Sequence, residues 1–192
     1  MLALLLLLAF AAWRLVSPRT IQTAAMDLAI AVTLLLQFRL GDDLVDLPHD
    51  RKEHPERILC QVENPASFWR FVGTLELAGL ALVLSQRPVS AWLAWFAAQA
   101  LLGLWYSRPW RKHWRAIDYH IILLKYPALV FVIASRNDVE VFQGVLVLLG
   151  AYLILCVYEA VSDPQLRTMR VVRGIAVVEL ILLLVLLAAA SG

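Results

Sequence analysis

Apolar residues in this chain run in long blocks, and the charged residues collect in the gaps between them. Seven apolar segments stand out, at approximately 2–16, 22–38, 67–85, 89–106, 119–135, 140–158 and 174–190. None shows the period-2 alternation of a membrane barrel strand, so each is read as an α-helix. Inside hydrocarbon a helix satisfies its own backbone polar groups, and blocks of this length are what a bilayer requires. The first block is short: about 15 residues rise only about 22 Å, against a hydrocarbon core of about 30 Å. No basic residue precedes it and Arg14 and Arg19 follow it, so it is read as a retained, tilted or partial span rather than a signal peptide.

Composition agrees with the pattern. Of 192 residues, 61% are hydrophobic and 17% charged, with a mean hydropathy of +0.74. A soluble domain carries more charge, about a quarter of its residues. The expected fold is therefore all-α: one polytopic transmembrane domain over residues 1–192, with about seven helices. Cys60 and Cys156 have neither metal-ligand spacing nor a disulfide framework, and are read as isolated, buried or simply unreactive thiols.

The net charge of +2 matters less than its distribution. The gaps after the second, fourth and sixth segments hold Arg39, Arg51, Lys52, Arg57, Arg108, Arg111, Lys112, Arg115, Arg167, Arg170 and Arg173. The alternate gaps hold only Arg14, Arg19, Arg87 and Arg136. The positive-inside rule then places the N-terminus in the cytoplasm and the C-terminus outside. It also gives three functional loops on the cytoplasmic side, at about 39–66, 106–118 and 158–173, free to converge on one site.

The first loop, Arg39 to Arg57, packs six acids and four bases between two apolar blocks. On a helix, Asp42, Asp46, Asp50 and Asp43 would fall at about 0°, 40°, 80° and 100°, on one face. Carboxylates so close repel unless a cation neutralises them, and Mg²⁺ does so through oxygen ligands while keeping waters for a phosphate partner. The plainer reading is a solvated acidic loop balanced by Arg51, Lys52 and Arg57. Pro48 predicts a kink ahead of Asp50.

The second loop interleaves Arg108, Arg111, Lys112 and Arg115 with Tyr106, Trp110 and Trp114. Charge anchoring and an aromatic belt account for that pattern. The same cations can also clamp a diphosphate. The third loop carries Glu159 and Asp163 four residues apart, with Arg167 four further on. It offers a second carboxylate pair, yet Ser162-Asp163-Pro164 also reads as a helix start with Asp163 as N-cap. Glu76, Lys125 and Glu179 lie within apolar blocks, where ionisable groups are costly and become functional candidates. Lys125 reaches a phosphate from below or neutralises Glu76 or Glu179. Asp27 and Arg70 lie nearer block ends, where such side chains snorkel to the surface.

Taken together, these residues resemble the UbiA superfamily of intramembrane prenyltransferases. Asp42-Asp43-Leu-Val-Asp46-Leu-Pro-His-Asp50 is similar to that family's first aspartate-rich motif, N-D-x-x-D-x-x-x-D, with Asp42 in place of the usual Asn. His54-Pro55-Glu56-Arg57-Ile58-Leu59 is similar to its downstream R-P-L segment. Tyr106-Ser107-Arg108-Pro109-Trp110-Arg111-Lys112 looks like its Y-P-x-x-K-R segment, and Glu159-Ala-Val-Ser-Asp163 stands where its second motif, D-x-x-x-D, is expected. The resemblance covers about residues 22–190 and implies a UbiA-like helical bundle.

It also implies a chemistry: Mg²⁺ held by both acidic motifs, a polyprenyl diphosphate, and transfer of its isoprenoid group to a small, often aromatic, acceptor. The catalytic set would be Asp42, Asp43, Asp46, Asp50 and Lys125. Asp42, Asp43, Asp46, Asp50, Glu159 and Asp163 would hold metal, and Arg39, Arg57, Tyr106, Arg108, Arg111, Lys112 and Arg167 the diphosphate. The expected location is a bacterial inner membrane with the site facing the cytoplasm. Glu159 departs from the motif's Asp, and the family has more helices than the seven read here; these departures fit an altered substrate, a homo-oligomer that completes the tail groove, or lost catalysis.

Two other readings stay open: a noncatalytic member that binds an isoprenoid diphosphate lipid or a partner protein, and a structural array of spans. CDP-alcohol phosphotransferase, H-E-x-x-H zinc, Gly-rich phosphate-loop and serine-elbow motifs are absent. The basic loop is accounted for by topology, so no nucleic-acid partner is expected.

Overall fold

A computed structural model describes residues 20–108, 113–135 and 141–191. Among them all regular structure is helical, and six helices are long and apolar enough to span a bilayer. They account for six of the seven apolar blocks, as befits an integral membrane protein. The block at 2–16 lies outside the described residues, as do Arg14, Arg19, Arg111, Lys112 and Arg136. The described residues divide into two compact units, one ending at Arg87 and one beginning at Pro88.

The first unit holds α1 (Ile21–Glu53), a short 3-10 turn (Ile58–Gln61) and α2 (Ala66–Gln86). Thr20 caps α1 by accepting the Thr23 N–H at 3.3 Å. Helix α1 does not stop at the end of its apolar block. It continues through the acidic stretch and past Pro48 to Glu53. Arg51 and Lys52 in its last turn complement the negative end of the helix dipole. It ends where Pro55 pushes His54 out of helical conformation (φ −139°, ψ 58°). The expected loop at 39–66 is therefore helical over its first half.

Helices α1 and α2 pack together, and three contacts join them. Gly79 lies so close to α1 that a Cβ there would meet Leu34 Cδ2 at 2.8 Å. Small residues permit this approach between membrane helices. The Gln37 amide donates to the Glu76 carboxylate, so this intramembrane acid is bonded across the helix pair. Asp27 accepts from Arg87, with the two side chains 4% and 0% exposed. Asp27 thus does not snorkel to the surface. A buried charge needs a partner more than it needs water.

The second unit holds α3 (Val89–Tyr106), α4 (Arg115–Leu123), α5 (Lys125–Ala134), α6 (Val141–Ser162), α7 (Pro164–Thr168) and α8 (Arg170–Ser191). The block at 119–135 begins earlier than its hydropathy indicates, at Arg115, and breaks at Leu124 into α4 and α5. Pro127 is the cause: it has no N–H to offer Leu123, so the ladder restarts with Ala128 N–H on Leu124 C=O at 3.3 Å. The expected loop at 158–173 is almost wholly helical. Asp163 Oδ1 accepts from Gln165 N–H at 2.7 Å and Leu166 N–H at 3.3 Å, with Pro164 in the first turn of α7. The N-cap reading of Asp163 is what the backbone shows. Helix α6 packs against α8, α7, α5 and α4 around a core of Tyr119, Leu123, Leu155, Cys156, Ala160 and Val172.

Candidate functional site

In the first unit, continuity of α1 carries the acidic motif. Asp42, Asp43, Asp46 and Asp50 all lie on this one helix and all are half-buried, while Leu44 and Leu47 between them are buried. The helical spacing read from the sequence is thus realised, with Pro48 exposed within it. Two of the bases assigned to diphosphate fold back on these acids. Arg39 pairs with Asp43 at 3.2 Å, one turn away, and Arg57 reaches Asp50 at 2.5 Å. Exposed pairs of this kind stabilise a fold by no more than about 1 kcal/mol. They therefore neutralise the face without locking it. Arg51 donates to the Val62 carbonyl at 2.5 Å, and His54 lies 3.4 Å from Glu56.

The remaining sequence-predicted residues belong to the second unit. Tyr106 ends α3 half-buried, and Arg108 follows it exposed. Lys125 opens α5, buried to 2% exposure, with its ammonium 5.3 Å from the centre of the Tyr126 ring. Glu159 sits half-buried in the last turn of α6, and its carbonyl accepts the Asp163 N–H at 2.9 Å. Arg167 lies exposed on α7. Asp163 spends one carboxylate oxygen on its cap, and that oxygen is not free to serve a cation.

The second unit also brings together residues that sequence reasoning left apart. His120 on α4, Cys156 on α6 and Glu179 on α8 each offer one ligand atom, all within 4.8 Å of one another. His120 Nδ1 stands 3.4 Å from Glu179 Oε1, 3.5 Å from Cys156 Sγ and 3.1 Å from the Tyr152 hydroxyl. Cys156 is fully buried and Glu179 is 6% exposed. The only sequence signals were Glu179 as an intramembrane acid, and Tyr152 and Cys156 one turn apart on the same helix. Nothing in the spacing links them to His120.

Comparison with protein-family models, with curated proteins and with solved structures gives no match.

Proposed function

We propose that this chain is a Mg²⁺-dependent intramembrane prenyltransferase that moves an isoprenoid group from a polyprenyl diphosphate to a small, often aromatic, acceptor. The observation that carries this reading is the unbroken course of α1 to Glu53, which arrays Asp42, Asp43, Asp46 and Asp50 along one helix. The donor set suits Mg²⁺: hard carboxylate oxygens, none of them sealed from water. Asp42, Asp43, Asp46 and Asp50 would hold the ion; the family resemblance assigns Glu159 and Asp163 to metal as well, and Asp163 keeps one oxygen beyond its cap. Bound there, Mg²⁺ stabilises charge building on a leaving diphosphate.

Arg39 and Arg57 are the switchable part of this scheme. They neutralise Asp43 and Asp50 in the protein alone, and a bound cation frees both guanidinium groups for phosphate oxygens. Tyr106, Arg108, Arg111, Lys112 and Arg167 supply further diphosphate contacts. Lys125 joins the catalytic set as a buried cation. The proposed location is a bacterial inner membrane with this site on the cytoplasmic face.

The test is to incubate the purified protein with Mg²⁺ and polyprenyl diphosphates of several chain lengths and to measure pyrophosphate release. Release that requires Mg²⁺ supports the transferase. A second reading, a protein that binds the diphosphate lipid without reacting, is favoured by the same Arg39–Asp43 and Arg57–Asp50 pairs, which already satisfy the acids. Mg²⁺-dependent thermal stabilisation without release would select it. Neither stabilisation nor release would contradict both.

A further inference from the structure

The geometry points to a second, separate metal centre in this protein: His120, Cys156 and Glu179 hold a borderline-soft divalent cation, of which Zn²⁺ is the best fit, inside the α4–α6–α8 core. It shares no residue with the α1 carboxylates and stands or falls independently of the proposed prenyl transfer.

The first argument is distance. Zn²⁺ takes thiolate sulfur at about 2.3 Å and imidazole nitrogen or carboxylate oxygen at about 2.0–2.2 Å, in tetrahedral array. Ligand atoms of such a site lie about 3.6 Å apart for sulfur and nitrogen, and about 3.4 Å apart for nitrogen and oxygen. Cys156 Sγ to His120 Nδ1 is 3.5 Å and His120 Nδ1 to Glu179 Oε1 is 3.4 Å. The Tyr152 hydroxyl, 3.1 Å from the same nitrogen, puts an oxygen within reach of the fourth position.

The second argument is satisfaction of polar groups. One ring nitrogen carries either one proton or one lone pair, so it serves one neighbour well. Three polar groups crowd His120 Nδ1 here. Glu179 Oε2 is buried with no hydrogen-bond partner, on a side chain more than nine-tenths buried. Its other oxygen, Oε1, faces the shared His120 nitrogen, so the carboxyl as a whole is under-satisfied. A dication at the meeting point of the three ligands satisfies them together.

The third argument is what the arrangement is not. A cysteine nucleophile with a histidine base and an acid orienter uses both ring nitrogens, one for each partner. Here sulfur and carboxylate approach the same nitrogen. A fully buried Cys156 also offers no face to a substrate. Mixed sulfur, nitrogen and oxygen donors favour Zn²⁺ over Mg²⁺, which prefers oxygen alone.

Position supports a structural ion. His120 lies five residues from the head of α4, Cys156 six from the end of α6 and Glu179 nine from the head of α8. At 1.5 Å per residue these positions are about 8, 9 and 14 Å from their respective helix ends. Tyr119, Leu155, Val172 and Ala176 pack with Cys156 in one apolar core, and only the His120 end of the cluster is half-buried. An ion there would pin α4, α6 and α8 to one another.

The experiment is metal analysis of the full-length protein in detergent, followed by exchange with Co²⁺. The expected result is about one Zn²⁺ per chain that survives dialysis and, after exchange, a sulfur-to-Co²⁺ charge-transfer band. Cys156→Ser should abolish the band and lower Zn²⁺ affinity at least 10-fold, whereas Cys60→Ser should keep both. Glu179→Gln, a near-isosteric change, should weaken Zn²⁺ binding while retaining the band. Zn²⁺ retention equal in the wild type and Cys156→Ser, or no retention in either, overturns the proposal. So does a charge-transfer band lost with Cys60 and kept without Cys156.

Discussion

Asp42, Asp43, Asp46 and Asp50 lie within nine residues of one helix, whereas His120, Cys156 and Glu179 come from three helices and are 36 and 23 residues apart. The first group exists as soon as α1 forms. The second exists only when α4, α6 and α8 have packed. Their surroundings differ accordingly. The α1 carboxylates are half-buried and pair with arginines that can swing away. In the second group Cys156 and Glu179 are buried and only His120 is half-buried. A site written along one helix tolerates water and exchange of ligands, as substrate binding requires. A site assembled from three helices records their packing, and suits an ion that stays.

Breaking one group should leave the other intact, and that expectation orders the tests. The largest effect is expected from Asp46→Asn, which should lower Mg²⁺-dependent stabilisation by a polyprenyl diphosphate at least 100-fold in apparent affinity. The same variant should keep its Zn²⁺, measured by metal analysis. Next comes Asp27→Ala, which removes the buried carboxylate that accepts from Arg87 in the first unit. Breaking a buried pair from one side costs about 3–5 kcal/mol, read as unfolding free energy in detergent. The Cys156-dependent Co²⁺ spectrum of the second unit should be unchanged in whatever fraction stays folded.

A smaller loss is expected from Gly79→Ala. Its methyl group must displace Leu34, which is fully buried, and overpacking of this kind costs about 1–3 kcal/mol. The smallest is expected from Asp163→Ala, which removes the α7 cap for about 1 kcal/mol. This loss falls in the second unit, so thermal denaturation followed through the Co²⁺ spectrum should register it. Mg²⁺-dependent diphosphate affinity should fall less than in Asp46→Asn, because Asp163 has only one oxygen to give.

The same contrast explains what could be read without coordinates. The spans were legible because hydropathy is a local property, and so was the carboxylate face, because 3.6-residue periodicity joins Asp42 to Asp46 and Asp50. The Asp163 cap was legible too, from Ser-Asp-Pro. Pro48 does not end the helix: the backbone continues helical to Glu53, since losing one hydrogen bond does not end a helix whose other bonds hold. Asp27 misled. Its partner Arg87 is 60 residues distant and was counted among loop charges, although it lies buried in the packing of the first unit. Cys156 is buried, one of the readings its sequence offered, but its neighbours are brought by α4 and α8 and so were not legible. Long-range pairing is invisible in periodicity, and both the Asp27–Arg87 pair and the His120–Cys156–Glu179 group depend on it.

Pyrophosphate release by the wild type and Asp46→Asn, side by side, tests the central claim most directly. With a polyprenyl diphosphate and an aromatic acceptor, the wild type should release pyrophosphate only when Mg²⁺ is present, and Asp46→Asn should fall to background while remaining folded. Equal release from the two proteins, or release by the wild type that persists in EDTA, would contradict it.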